Sequence, residues 1–225
     1  MKHIVITGGG DGIGKALAQN LSSDYQVTIL ARSADKLKEL ADELNCDFIA
    51  CDVRDSEEVQ VAFATIKARH STIDILINNA GVIVNGDLTE TPYKTIENVM
   101  STNATGAIFV AKAALEIMKP QKQGLIINVI STAGITAKAC RSVYNASKWA
   151  LTGFTKAIQE EAAAYGVRVT GFYPGTTKTN LFKKAGLDIH GPALETSQIV
   201  KTIRFVADAD ETVLIPEIGT KPFGQ

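Results

Sequence analysis

The sequence predicts an α/β fold in which a doubly wound parallel β-sheet of about seven strands carries helices on both faces. Three observations predict it. Short runs rich in β-branched residues alternate with segments of helical period, a glycine-rich turn follows the first run, and 225 residues suit one domain. Such alternation implies right-handed crossovers between parallel strands. We therefore expect a single domain over residues 1–225.

The first predicted unit is a strand, a glycine turn and a helix. Residues 3–7 form a short apolar run, residues 7–14 read TGGGDGIG, and apolar residues then recur with helical period. Glycines let the backbone approach a pyrophosphate, and the helix N-terminus offers free N–H groups. This corner predicts a phosphate site in a Rossmann-like fold. The alternative is a tight turn without a ligand.

The alternation continues along the rest of the chain. Strands are predicted at residues 25–31, 47–51, 73–77, 125–130, 167–173 and 213–218. Helices are predicted at residues 34–44, 55–69, 92–118, from 142 onward and at 196–207. The long helix at 92–118 is expected to be interrupted near residues 101–106.

Composition limits the classes of partner. Apolar residues make up 45% of the chain and its formal net charge is −1 at pH 7, so it has no bulk attraction to nucleic acid or to an anionic membrane. Cys46, Cys51 and Cys140 lack the spacing of a zinc site or a disulfide framework, and no apolar stretch reaches the length of a membrane span. We expect a cytoplasmic protein with small-molecule partners and no metal.

Residues 131–148 predict an active site. Tyr144 and Lys148 are four residues apart, so in a helix the phenol and the ammonium lie on one face. A phenol has a pKa of about 10, and a nearby cation favours the phenolate. Ser131 follows the apolar run 125–130, which places it at the carboxyl end of a buried strand, where open α/β sheets bind ligands. Taken alone, a Tyr-x-x-x-Lys pair is more often a surface helix pair than a catalytic one.

The motifs together resemble the short-chain dehydrogenase/reductase family over nearly the whole chain. They are TGGGDGIG at residues 7–14, CDV at 51–53, NNAG at 78–81, Asn103, Ser131, YNASK at 144–148 and PGTTKT at 174–179. The resemblance implies an oxidoreductase that transfers a hydride between NADP(H) and a carbonyl or alcohol substrate.

The resemblance also implies roles for four residues. Tyr144 would be the general acid in reduction and the base in oxidation, and Ser131 would hydrogen-bond the substrate oxygen. Lys148 would bind the nicotinamide ribose and lower the pKa of Tyr144. Asn103 would help to hold a water chain that relays the proton.

Cofactor contacts are implied along the whole nucleotide. The expected residues are Gly8, Asp11, Gly12, Ile13 and Gly14 at the pyrophosphate, Asp52 and Val53 at the adenine, Asn79, Ala80 and Gly81 at the adenosine ribose, Pro174, Thr177 and Thr179 at the carboxamide, and Tyr144 and Lys148 at the nicotinamide ribose. Arg32 follows the second predicted strand, where Ala31 offers no carboxylate to a ribose 2′-OH, and an arginine suits a 2′-phosphate. This favours NADP(H). Because many NADP-preferring members carry a basic residue where this chain has Asp11, NAD(H) stays open.

The substrate is less defined. Residues 180–195 are the expected substrate lid, and five cations are expected to ring the entrance: Lys138, Arg141, Lys178, Lys183 and Lys184. They suggest an anionic or carrier-bound substrate, as in 3-oxoacyl reduction. The alternative is that they are solvated surface side chains. The resemblance implies a homodimer or homotetramer.

Two other classes of protein share parts of this pattern. An extended sugar-nucleotide epimerase adds a substrate domain, and the roughly 50 residues after Pro174 are too few for one. A non-catalytic NADP(H)-responsive binding protein needs the pocket but not the proton donor. The set of Ser131, Tyr144, Lys148 and Asn103 therefore favours an enzyme.

Overall fold

A computed structural model describes residues 1–224. Its seven-stranded sheet has the order β3-β2-β1-β4-β5-β6-β7, and each neighbouring pair is parallel. The strands are β1 His3–Thr7, β2 Gln26–Ala31, β3 Asp47–Ala50, β4 Ile75–Asn78, β5 Gly124–Val129, β6 Val167–Pro174 and β7 Glu217–Thr220. The helices are α1 Gly12–Leu21, α2 Ala34–Leu44, α3 Ser56–His70, α4 Tyr93–Met100, α5 Gly106–Gln121, α6 Ser142–Ala163, α7 Asn180–Lys184 and α8 Thr196–Ala207. The single-domain, doubly wound prediction is confirmed.

Both faces of the sheet are buried because successive strand residues point to opposite sides. In β1, Ile4 belongs to the apolar cluster that includes Leu17 of α1, and Val5 belongs to the cluster that includes Phe63 of α3. All five residues of β1 are buried. The central strands therefore read as continuous apolar runs rather than as alternating ones.

The strand order reverses between β1 and β4, which creates a crevice at the carboxyl edge of the sheet. The glycine turn follows β1, Asn79 follows β4, Ser131 follows β5 and Gly175 follows β6. The fold thus brings the predicted motifs to one edge.

The predicted last strand at 213–218 is wrong in its position, since β7 begins at Glu217. Val213 donates its N–H to Asp210 O, which places it in a turn. Pro216 has no N–H to give to a sheet, although its carbonyl accepts a hydrogen bond from Gly171. Regular strand pairing with β6 begins where Gly171 pairs with Glu217.

Within residues 1–224, none of the helices is both long and apolar enough to cross a lipid bilayer.

Candidate active site

Ser131 stands between β5 and a 3₁₀ turn at Thr132–Gly134, with a φ of 140°. A non-glycine residue rarely adopts this conformation, and such strain concentrates at functional sites. The Ser131 hydroxyl accepts a hydrogen bond from Ala133 N at 3.1 Å and also makes a hydrogen bond with Tyr144. The turn therefore aims this hydroxyl at the phenol.

Tyr144 and Lys148 lie one helical turn apart at the start of α6, and both side chains are buried. Burial raises the pKa of Tyr144, while the hydrogen bond with Ser131 and the charge of Arg141 act in the opposite direction. Burial also lowers the pKa of Lys148 to about 8. At neutral pH the phenol is therefore protonated, and most of the lysine is charged.

Two cations, Lys148 and Arg141, lie near Tyr144. The Lys148 ammonium lies 6.0 Å from the centroid of the Tyr144 ring and donates to Val129 O at 3.1 Å. The charge of Arg141 acts to lower the pKa of Tyr144, and burial outweighs it. Sequence spacing put Tyr144 and Lys148 on one face, but it could not say where the ammonium points.

Asn103 lies in a π-turn, Ser101–Thr105, between α4 and α5, where the long helix was expected to be interrupted. Its Oδ1 accepts from Val82 N at 2.8 Å, and its Nδ2 donates to Val82 O at 2.8 Å and to Ser147 Oγ at 3.0 Å. A Cβ atom at Gly81 would lie 3.3 Å from Asn103 Oδ1 and 3.6 Å from Lys148 Nζ. The π-turn thus joins the segment after β4 to the helix that carries Tyr144.

The glycine turn forms a cradle that fits a pyrophosphate. Gly8 has a φ of 67°, and a Cβ atom at Gly14 would lie 2.2 Å from Gly8 O, so a side chain there cannot be accommodated. Asn79 closes the turn by donating from Nδ2 to Thr7 O at 2.9 Å. Ala80 donates its N–H to Thr7 Oγ1 at 3.0 Å. Together with the N-terminus of α1, this close backbone packing suits a phosphate-bearing cofactor.

On the expected adenine side, the Asp52 carboxylate is paired with Arg54. Arg54 donates from Nε to both carboxylate oxygens of Asp52, each at 3.0 Å, and from its other nitrogens to Asp52 and to Asn98. These bonds lower the pKa of Asp52, and the nearby charge of exposed Arg32 lowers it further. Val53 is buried, with its carbonyl against Gly106. Sequence reasoning missed Arg54, although it directly follows the CDV motif.

Many of the predicted residues line one cleft at the carboxyl edge. They are Ile13, Asn79, Gly81, Ser131, Tyr144, Lys148, Pro174, Thr177 and Thr179. Asn103 lies behind this lining, and Arg32, Asp52 and Val53 lie outside it. Gly8, Asp11, Gly12, Gly14 and Ala80 build the glycine turn and its closure, apart from the cleft wall.

The charges at the mouth are fewer than the five that were expected. Lys138 and Arg141 line the cleft. Lys178 is ion-paired with Glu195, and Lys184 is ion-paired with Asp11. Lys183 is exposed and, like these two, lies outside the lining. Nevertheless, the charged side chains among the lining residues are all positive: Lys138, Arg141 and Lys148.

Sequence reasoning also missed Asn145, which lies beside Tyr144 and is buried. Its Nδ2 donates to Thr136 O at 2.7 Å and to Ala133 O at 3.1 Å. These bonds hold the turn after Ser131 against α6. The signal was present in the YNASK motif, but only the folded loop supplies the two carbonyl acceptors.

Comparisons with known proteins agree with this geometry. The family model described as short chain dehydrogenase matches residues 2–189. A human 3-oxoacyl-[acyl-carrier-protein] reductase is 34% identical over 185 residues, which cover 81% of this chain and 78% of the human protein.

Two solved structures share the whole fold. Alcohol dehydrogenase from the archaeon Thermococcus sibiricus, complexed with 5-hydroxy-NADP, has a TM-score of 0.91 at 25% identity and covers 100% of this chain and 98% of its own. ElxO with NADP bound has a TM-score of 0.89 at 30% identity, with 98% and 97% covered. The chain therefore belongs to the short-chain dehydrogenase/reductase family and is an NAD(P)-dependent oxidoreductase.

Proposed function

We propose that the chain is an NADP(H)-dependent reductase of carbonyl compounds, with Tyr144 as the proton donor. One observation carries the proposal. A buried, protonated phenol in hydrogen-bond contact with Ser131 lines the same cleft as Ile13 and Asn79 beside the glycine turn. Bound NADP(H) would supply the hydride.

The side chains would stabilise the charge that develops on the substrate. Negative charge grows on the carbonyl oxygen as the C–H bond forms, and hydroxyl donors already aimed at it stabilise the transition state more than the ground state. Ser131 would donate a hydrogen bond to this oxygen, and Tyr144 would transfer its proton to it, giving the alcohol. In oxidation the deprotonated Tyr144 would accept the proton from the alcohol.

Lys148 and Asn103 would support this step. With a pKa of about 8, the Lys148 ammonium is mostly charged at neutral pH and can bind the hydroxyls of the nicotinamide ribose. Asn103 would fix the backbone around Val82 and help to hold the water chain that returns a proton to the phenol.

Turnover by the purified protein tests the proposal. Ketones, aldehydes and β-ketoacyl thioesters would be assayed for consumption of NADPH and NADH. We expect reduction of at least one class with NADPH. NADPH binding without turnover across the whole panel would instead support a non-catalytic NADP(H)-responsive protein.

The preference for NADP(H) rests on Arg32 at the end of β2, where Ala31 offers no carboxylate. Both structural relatives described above contain an NADP-type nucleotide. A charge-assisted phosphate contact contributes about 1.5–3 kcal/mol, roughly 10- to 150-fold in affinity. We expect Arg32→Ala to remove most of the difference in Kd between NADPH and NADH, and Lys38→Ala, at an exposed position of α2, to keep it. Equal Kd values in the wild-type protein would contradict the preference.

For the substrate, we propose an anionic or carrier-bound carbonyl compound of the 3-oxoacyl type. Support comes from Lys138 and Arg141 in the cleft wall and from the named activity of the human relative. Electrostatic selection should be screened over about 8 Å at physiological salt. We expect added salt, or Lys138→Ala with Arg141→Ala, to lower kcat/KM for an anionic substrate more than for a neutral one. Lys183→Ala is the control, and equal effects on both substrates would contradict this role.

We also propose that the protein forms homodimers or homotetramers. Ile108 of α5 and Trp149 of α6 are partly exposed apolar side chains on the two helices expected to pair. Light scattering on the purified protein would measure the oligomeric state.

A further inference from the structure

Asp11 in the glycine turn holds residues of the expected lid. Its Oδ1 accepts a hydrogen bond from Gly12 N at 2.7 Å and from Asn180 Nδ2 at 3.1 Å. Its Oδ2 is ion-paired with Lys184 Nζ. Asn180 and Lys184 are the first and last residues of α7, so both ends of this short helix are tied to one carboxylate.

The lid is anchored at its base and extends from there to the glycine turn. Lys178 N donates to Leu194 O and Leu194 N donates to Thr176 O, each at 2.8 Å, which closes the base of the excursion. Between these points, Thr179 packs so closely on the turn that a Cβ atom at Gly12 would lie 3.3 Å from its Cβ. Leu181 and Phe182 of α7 line the cleft. The segment therefore runs from the carboxamide end of the cleft to the phosphate cradle.

The sign of the charge at position 11 makes this contact informative. A carboxylate beside a pyrophosphate would repel it, and both NAD(H) and NADP(H) carry this group, so an unpaired Asp11 would be unsuited to binding either nucleotide. In this structure the ion pair with Lys184 of α7 neutralises the Asp11 carboxylate. Asp11 is thus suited to holding the lid rather than to holding the nucleotide.

We propose that Asp11 is a positioning residue that latches α7 over the pyrophosphate cradle, and that the Asp11–Lys184 pair opens when the cofactor enters or leaves. This inference rests on the proposed cofactor site at the glycine turn. Both partners are partly exposed, with 38% and 65% of their side chains accessible, which suits a contact that forms and breaks readily.

Four variants test the latch: Asp11→Asn, Lys184→Met, the two combined, and the charge exchange Asp11→Lys with Lys184→Asp. Asparagine still caps the N-terminus of α1, so Asp11→Asn removes the charge and leaves the cap. Lys183→Met is the matched control, because Lys183 is the exposed neighbour of Lys184. Hydrogen exchange of residues 180–187 would be measured without nucleotide, and the NADPH dissociation rate by stopped-flow fluorescence.

The latch predicts that each single variant raises the rate of hydrogen exchange at residues 180–187 and the NADPH dissociation rate. Each rate should rise about two- to fivefold, as expected for an exposed ion pair. The double variant should add little to either single change, because both remove the same contact. The charge exchange should restore part of the protection. Lys183→Met should leave exchange and dissociation at wild-type values.

Three results would overturn the latch. If Asp11→Asn slowed NADPH dissociation while Lys184→Met accelerated it, Lys184 would bind the nucleotide directly. If neither variant changed exchange or dissociation, the pair would be a surface contact without consequence. If the wild-type protein did not bind NADPH, the proposed cofactor site would be wrong, even if residues 180–187 were protected from hydrogen exchange.

Discussion

The two edges of the sheet both bury titratable side chains, but they treat them differently. At the amino edge, His3 of β1 has both ring nitrogens in contact with partners at 2.8 Å, Thr72 O and Thr28 Oγ1. At the carboxyl edge, the Lys148 ammonium has three protons, and the hydrogen bond seen within residues 1–224 is the one to Val129 O. The fold therefore supplies partners for both ring nitrogens of His3, whereas the Lys148 ammonium keeps protons that it can donate to a ligand.

The neighbours of His3 and those of Lys148 also differ. The ring of His70 packs 4.2 Å from that of His3, and His70 Nε2 lies 2.7 Å from Asp47 Oδ2. This histidine pair joins the starts of β1 and β3 to the end of α3: both ring nitrogens of His3 have partners, whereas His70 Nε2 lies close to Asp47 but makes no hydrogen bond of good geometry. At the carboxyl edge the polar groups instead line an open cleft. Burial of a titratable group therefore indicates function only where its incomplete hydrogen bonds also face a cleft.

The largest expected effect is on catalysis at the carboxyl edge. Tyr144→Phe removes the oxygen that donates the proton, so we expect kcat to fall about 10²- to 10⁴-fold. The Kd of NADPH should change little, because the ring still packs. Stopped-flow and steady-state assays would separate the two quantities.

Tyr173→Phe is the control, because Tyr173 is also buried and donates to Glu217 Oε1 at 2.7 Å. It should keep most of kcat. A Tyr144→Phe enzyme with more than a few per cent of wild-type kcat would contradict the role of the phenol.

The next effect is on stability. Because burial lowers the pKa of Lys148 from 10.5 to about 8, the folded state disfavours the charged amine below pH 8. Lys148→Met should therefore raise the free energy of unfolding at pH 7 by up to about 3 kcal/mol while it removes activity. The gain should shrink between pH 8 and 10.5, where the wild-type amine loses its proton on folding.

Urea denaturation at pH 7 and at pH 9.5 would measure this gain. Lys156→Met is the control, since Lys156 lies on the same helix but is exposed and paired with Glu217. If Lys148→Met were less stable than the wild-type protein at pH 7, the surroundings would stabilise the charged ammonium, which would contradict this prediction.

The smallest effect is at the amino edge. Burial and the neighbouring charge of His70 lower the pKa of His3, against the opposing effects of the Thr72 hydrogen bond and of Asp74 and Asp47. The contribution of neutral His3 to the free energy of unfolding is therefore complete above pH 6.5. It is lost as the pH falls below 6.5, because the unfolded chain binds the proton more readily than the folded chain does. His3→Gln should flatten the loss of stability between pH 7.5 and 5. His190→Gln, at an exposed site, should not, and equal slopes in all three proteins would contradict the assignment.

The sequence alone determined the features that depend on short separations. Periodicity located the alternating strands and helices, glycine chemistry located the cradle, and i, i+4 spacing placed Tyr144 and Lys148 on one face. The interruption of the long helix was also predicted near its observed π-turn. Each of these follows from residues within a few turns of one another, where backbone geometry fixes the distance.

Only the tertiary structure decided which charges meet. Lys184 and Asp11 are 173 residues apart, so nothing local could show that their pairing removes a cation from the expected ring and ties the lid to the glycine turn. The charge of Arg141 acts to lower the pKa of Tyr144, and the Lys148 ammonium turns toward Val129 O. The start of β7 likewise depends on where the chain meets β6. Ion pairs, pKa shifts and edge pairing depend on distances through space, and those distances exist only after the chain has folded.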